Sequence, residues 1–211
     1  MHSYKNSTNR DTLILIGLGL GLLIAYRASA QLPLTALGLA IFTPLALWRP
    51  DLALAYVPFS VALYFMPKGL FDARFGIRDT GIYLPLHEVV LLITAAGAAL
   101  DWKRALRVLR NVSSAFVPTA LFALAGLWGF LIAGEKGPAL RELRWLVVEP
   151  LIFYGLLLVY AARGGAGYWR QMIGFWLAGG ALAGLVGILQ LSGLNLAPLI
   201  GIKAGRSEEH T

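Results

Sequence analysis

Seven apolar runs, at residues 12–26, 32–48, 52–66, 84–100, 115–133, 143–162 and 171–191, divide the chain. They constrain the fold more than any other feature. A helix needs about 20 predominantly apolar residues to cross a bilayer, and lipid offers no partner to an exposed backbone N–H or C=O. The pattern therefore predicts an all-α, polytopic transmembrane bundle of about seven spans, itself part of a larger bundle. With 58% hydrophobic and only 14% charged residues, a soluble domain of this size could not bury the apolar surface. The second and third runs are short. Arg49-Pro50-Asp51 between them reads as a tight helical hairpin, because proline and two charges will not continue a span. A re-entrant pair that does not fully cross is the alternative. Gly17, Gly19 and Gly21, and again Gly180 and Gly184, suit close helix packing. IGLGLGL at 16–22 is no nucleotide loop, since no strand precedes it and no polar context surrounds it.

Charge sets the expected orientation. Lys103, Arg104, Arg107 and Arg110 form a basic block with only Asp101 beside it. By the positive-inside rule this block is cytoplasmic, which places the N-terminus, the Arg49 hairpin and the 163–170 loop inside. Loops 67–83 and 134–142 and the segment after Leu191 then face outward. The block reads as a topology determinant and anionic-lipid contact, and the chain carries no nucleic-acid signature. The first run has a signal-peptide alternative, with Lys5 and Arg10 before it and Ala28-Ser29-Ala30 after it. The spans that follow favour an uncleaved first helix. There is no cysteine, so disulfides, thiolate metal sites and a cysteine nucleophile are excluded. Arg206 to Thr211 reads Arg-Ser-Glu-Glu-His-Thr, the translation of a common sequencing adaptor. Residues 1–205 are thus expected to be the N-terminal transmembrane region of a longer protein.

The stretch ALRELRWLVVEPLIFYGLLLVY, residues 139–160, carries the strongest functional signal. Arg141, Glu142 and Arg144 stand at the mouth of an apolar run, and Glu149-Pro150 lies within its first turns. A charge at the centre of a span costs roughly 2.5–3.5 kcal/mol, against roughly −0.3 to −0.6 for each Leu, Ile, Val or Phe. Eleven such residues lie between Leu143 and Val159, so the span tolerates one acid. Arg141 and Arg144 are three apart and share a helix face. Their planar forks match phosphate oxygens, although span-end arginines also simply snorkel to headgroups. Pro150 removes a backbone donor and predicts a kink. Glu149 would orient an arginine, accept a proton or satisfy the loosened backbone; the plainer alternative is an ion pair with an arginine of another helix that holds the bundle together.

His87-Glu88 opens the fourth run. Glu88 in a first turn is explained by the helix dipole alone, and His87 is a candidate proton-transfer group. With only His2 as a second credible histidine, a metal site has nothing to build on. The outward loop 67–83 mixes Lys68, Asp72, Arg74, Arg78 and Asp79 with Phe71, Phe75 and Tyr83, which suits a headgroup-level loop or a sugar platform. Hydrolase, Walker and zinc-protease patterns are lacking.

Three passages together, Pro-Leu-His-Glu at 85–88, ALRELRWLVVEPLIFY at 139–154 and GILQLSGLN at 187–195, resemble the O-antigen ligase and polymerase superfamily of bacterial envelope proteins. The likeness covers about residues 50–195. It implies a multi-pass inner-membrane glycosyltransferase of surface polysaccharide (lipopolysaccharide) synthesis, with no metal and no other cofactor. Its partners would be membrane lipid and a polyprenyl-diphosphate-linked glycan donor, not nucleic acid. Arg141 and Arg144 match the family's cationic stretch and would touch the donor diphosphate, with Glu149 and Glu88 in support. The family's decisive Arg and His residues lie mostly in later external loops, so the catalytic residues, and the choice between ligase and polymerase, stay open. Two rival readings are a secondary transporter or lipid-linked oligosaccharide flippase, and a non-catalytic assembly subunit.

Overall fold

The computed structural model describes residues 2–27, 32–61, 86–111 and 113–193. Among these residues every regular element is helical and no strand occurs. The order is α1 (His2–Arg27), α2 (Leu32–Trp48), α3 (Pro50–Ala53), α4 (Tyr56–Val61), α5 (Leu86–Ala99) and α6 (Trp102–Asn111). There follow α7 (Ser113–Ile132), α8 (Lys136–Leu143), a π-helical turn (Arg144–Val148) and α9 (Glu149–Leu191). Loop 67–83, the residues after Gly193 and the adaptor-like hexapeptide lie outside the described residues.

Glycine decides the first pairing. Helices α1 and α2 lie side by side in opposite directions, with Gly17 against Leu45, Gly21 against Phe42, and Gly38 against Gly21 and Ala25. A Cβ at Gly38 would collide with the backbone of Ala25 and Gly21, so the two main chains touch there, as the sequence led one to expect of Gly21. The Gly180–Gly184 face differs: a methyl group added at either position would meet nothing. That stripe packs against no part of the described chain.

The chain bends by 120° between Pro33–Trp48 and Pro50–Val61. Pro50 starts the new helix where its missing N–H does no harm. Arg49 clamps the bend, donating from Nε and Nη2 to the two Asp51 carboxylate oxygens at 2.9 and 2.8 Å and from Nη1 to Asp11. Arg10 stacks over the Trp48 ring at 4.5 Å, and Tyr168 donates its hydroxyl to the Asp51 carbonyl at 3.1 Å. Leu18, Phe42, Leu54, Val90 and Leu91 form the centre of the core. Tyr56 ties three elements together, donating to the Leu15 carbonyl at 2.6 Å and packing edge-on against Phe175.

Two helices, Lys136–Ala162 and Gly164–Leu191, are long and apolar enough to cross a membrane, or three if the bent pair counts as one span. The described fold is thus all-helical with two to three membrane-capable helices. His87–Ala99 and Phe116–Ile132 are apolar but shorter. The apolar part of α1, Thr12 to Tyr26, amounts to roughly 22 Å of helix, well short of the roughly 30 Å hydrocarbon core.

Two expected boundaries move. Residues 136–142, part of the expected 134–142 loop, are helical, so the helix begins before the apolar run and Arg141 lies within it together with Arg144. The expected break at 163–170 is present but shorter, a kink between the helix that ends at Ala162 and the one that starts at Gly164, with helical residues on either side. Only Gly165, at φ 55° and ψ −145°, breaks the path, a conformation that side-chain-bearing residues rarely adopt.

Candidate functional site

The polar groups of two apolar helices meet at one end of the bundle. Glu88, in the first turn of α5, is only 3% exposed. Its Oε1 accepts from Arg144 Nη2 at 2.9 Å and from the Trp145 indole N–H at 2.6 Å. The helix dipole alone therefore does not account for Glu88. It is a buried acceptor for two donors that lie 56 and 57 residues further along the chain.

Glu149 approaches from the other side. Its Oε1 lies 3.6 Å from Arg144 Nε, and its Oε2 lies 3.6 Å from His87 Nε2. The ion-pair partner is thus the arginine one π turn earlier on its own helix, not one on another helix. At 3.6 Å neither contact is a hydrogen bond. Arg144 Nε and Glu149 Oε1 are both buried without a hydrogen-bond partner. One donor and one acceptor thus face each other across a gap too long to close directly.

The π turn makes this geometry. In an α-helix, residues five apart point about 140° away from each other. Bonding to the fifth neighbour instead brings residue i back over i+5, and the Glu149 N–H indeed donates to the Arg144 carbonyl. Pro150 supplies the cause: it lacks an N–H for the Leu146 carbonyl and its ring would clash with that oxygen. The helix widens by one residue and stays continuous from Lys136 to Ala162. The kink expected at Pro150 is absorbed in this widened turn.

Arg141 does not join the cluster. It is exposed in the last turn of α8, one turn before Arg144. Lys136 closes the preceding corner, donating from Nζ to the Phe130 and Leu131 carbonyls at 3.1 and 2.7 Å. The sequence thus brings four candidates to one end of the bundle: Glu88, Arg144 and Glu149 in contact, Arg141 at the surface beside them.

His87, Glu88 and Glu149 also place ligand-type atoms within 4.8 Å of one another, a grouping missed while the histidines were only counted. Arg144 already donates to the same Glu88 oxygen, so a divalent cation there would face a fixed positive charge at contact distance. Two carboxylates, one guanidinium and the His87 imidazole are thus gathered in one small volume. The pairing had a readable signal. The expected topology puts Glu88 and Arg144 at the same membrane face, each where an apolar run begins.

No family model matches the chain, and neither a curated protein nor a solved structure matches it. Function must therefore be read from these residues and their setting.

Proposed function

We propose that the chain is the front part of an inner-membrane glycan ligase or polymerase of bacterial surface polysaccharide synthesis, with the shorter apolar helices also embedded. Arg141 and Arg144 recognise the diphosphate of a polyprenyl-linked donor. One observation carries this reading: Arg144 is fixed by Glu88, with Trp145 sharing that carboxylate, while Arg141 stays exposed one turn away. A held guanidinium beside an exposed one, at the end of a long apolar helix, suits an anion whose lipid tail lies in the bilayer.

In the reaction, an acceptor hydroxyl attacks the anomeric carbon, the bond to the diphosphate oxygen breaks with its electron pair leaving on the diphosphate, and the hydroxyl proton ends on the released diphosphate or solvent. The arginines stabilise the negative charge that grows on that leaving group. The resemblance puts the remaining catalytic groups in external loops beyond residue 205.

The test is glycan transfer in membranes that carry the full gene product. Arg141→Ala and Arg144→Ala are each expected to lower transfer at least tenfold, the loss of about one charge-assisted contact. Undiminished transfer in both variants would remove the arginines from the site. The carboxylate pair beside His87, Glu88 buried and Glu149 part-buried, favours one second reading, a proton-coupled transporter. Liposomes in which substrate flux follows an imposed pH gradient, with no glycan transfer, would select it.

A further inference from the structure

Helix α6 follows α5 across the turn at Leu100–Asp101 and presents three different stripes. Ala105 and Val108 are half-buried, and Ala105 packs against the core. Trp102, Leu106 and Leu109, spaced i, i+4, i+7, form an apolar stripe that remains 56%, 41% and 37% exposed. Lys103, Arg107 and Arg110 repeat the same spacing about 100° further round the helix, and all three are exposed. No acid but Asp101 lies between residues 101 and 113.

A cytosol-facing helix would not keep Trp102, Leu106 and Leu109 uncovered, and a spanning helix would not carry this basic stripe. The arrangement fits a helix lying in the interface, one flank on the bundle, the apolar stripe toward the acyl chains and the cations at phosphate level. The short apolar helices α5 and α7, which flank it on either side in the chain, would keep it at that boundary.

We infer that α6 is an interfacial helix that binds anionic phospholipid, with Trp102, Leu106 and Leu109 inserted and Lys103, Arg107 and Arg110 paired with headgroups. A basic residue near an anionic surface strengthens attachment on the order of fivefold. The occupant is the bilayer, not a protein and not a soluble anion, because only a lipid surface satisfies both stripes at once. The inference needs the chain to reside in a membrane but does not depend on glycan transfer.

Residues 1–211 contain no cysteine, so within them a label reports from one chosen position. Leu106→Cys and Arg107→Cys, each spin-labelled in the full chain, are placed in nanodiscs of phosphatidylcholine alone or mixed with phosphatidylglycerol. The label at 106 should be reached by oxygen and shielded from an aqueous nickel chelate, with the opposite pattern at 107. Added phosphatidylglycerol should sharpen the contrast. A label at 106 open to the nickel chelate in both lipids overturns the inference. So does a label shielded from both reagents, which would mean protein covers the stripe. As a second measurement, the triple variant Lys103→Gln, Arg107→Gln and Arg110→Gln should retain at least tenfold less phosphatidylglycerol on purification. Arg107→Lys with Arg110→Lys should retain it as the native chain does, and equal retention by the triple variant contradicts the proposal.

Discussion

Removing the Glu88 carboxylate would leave Arg144 and the Trp145 indole without their shared acceptor in a nearly closed site. Truncating one partner of a buried pair costs about 3–5 kcal/mol, but Arg144 is 37% exposed, so water recovers part of that. Glu88→Ala should therefore destabilise by about 2–3 kcal/mol and Glu88→Gln by about 1 kcal/mol, since the amide oxygen still accepts. Thermal unfolding in detergent reads both. A Glu88→Ala protein as stable as the native chain would mean the cluster is not formed. At this scale the residue types were legible from the sequence and their partners were not. Glu88 looked like a dipole-favoured first-turn acid because its real partners are on a helix more than fifty residues later.

Among the elements, the π turn contributes most to the site. It lets Arg144 and Glu149 face each other, and Pro150 holds it open. Pro150→Ala restores an N–H and removes the clash, so the turn should tighten to an α-helix and swing Arg144 away from Glu149. A double-mutant cycle between Arg144→Ala and Glu149→Ala should show coupling of about 1 kcal/mol in the native background and near zero in Pro150→Ala. Unchanged coupling would show that proline does not set the turn. Glu-Pro was visible as an irregularity in the sequence, and a kink was the natural expectation. The sequence does not reveal that the strain is absorbed by one extra residue in the turn, because a proline in a helix is relieved either by a bend or by a widened turn. The shortness of the 163–170 break was missed for a related reason. Arg163, Arg170 and three glycines read as a loop, yet helical geometry resumes on both sides of Gly165.

On the scale of the molecule, two polar clusters sit at opposite ends of α5, about 20 Å apart by helix rise from Glu88 to Asp101. One is the Arg144 site. The other is the Arg49 clamp, which borders a cleft of about 490 Å³ lined by Trp48, Asp51, Asp101, Tyr160 and Tyr168. The bundle between them was legible in outline from the apolar runs, whereas the number of full crossings depends on helix lengths that the runs did not determine. Packing also differs across the molecule. Gly38→Ala drives a methyl group into the α1 backbone and should cost about 1–3 kcal/mol. Gly180→Ala meets nothing among the described residues and should be neutral, or gain up to about 1 kcal/mol in helix propensity. Equal destabilisation by the two would show that the Gly180 face is covered by protein. Recognition of a lipid-borne diphosphate by the exposed Arg141 and the held Arg144 is read out by equilibrium binding of undecaprenyl diphosphate to the full protein in nanodiscs. Because Arg141 is exposed and unpaired among the described residues, Arg141→Ala should leave the melting temperature unchanged while weakening binding about tenfold or more. Equal affinity in the native and Arg141→Ala proteins would contradict the account.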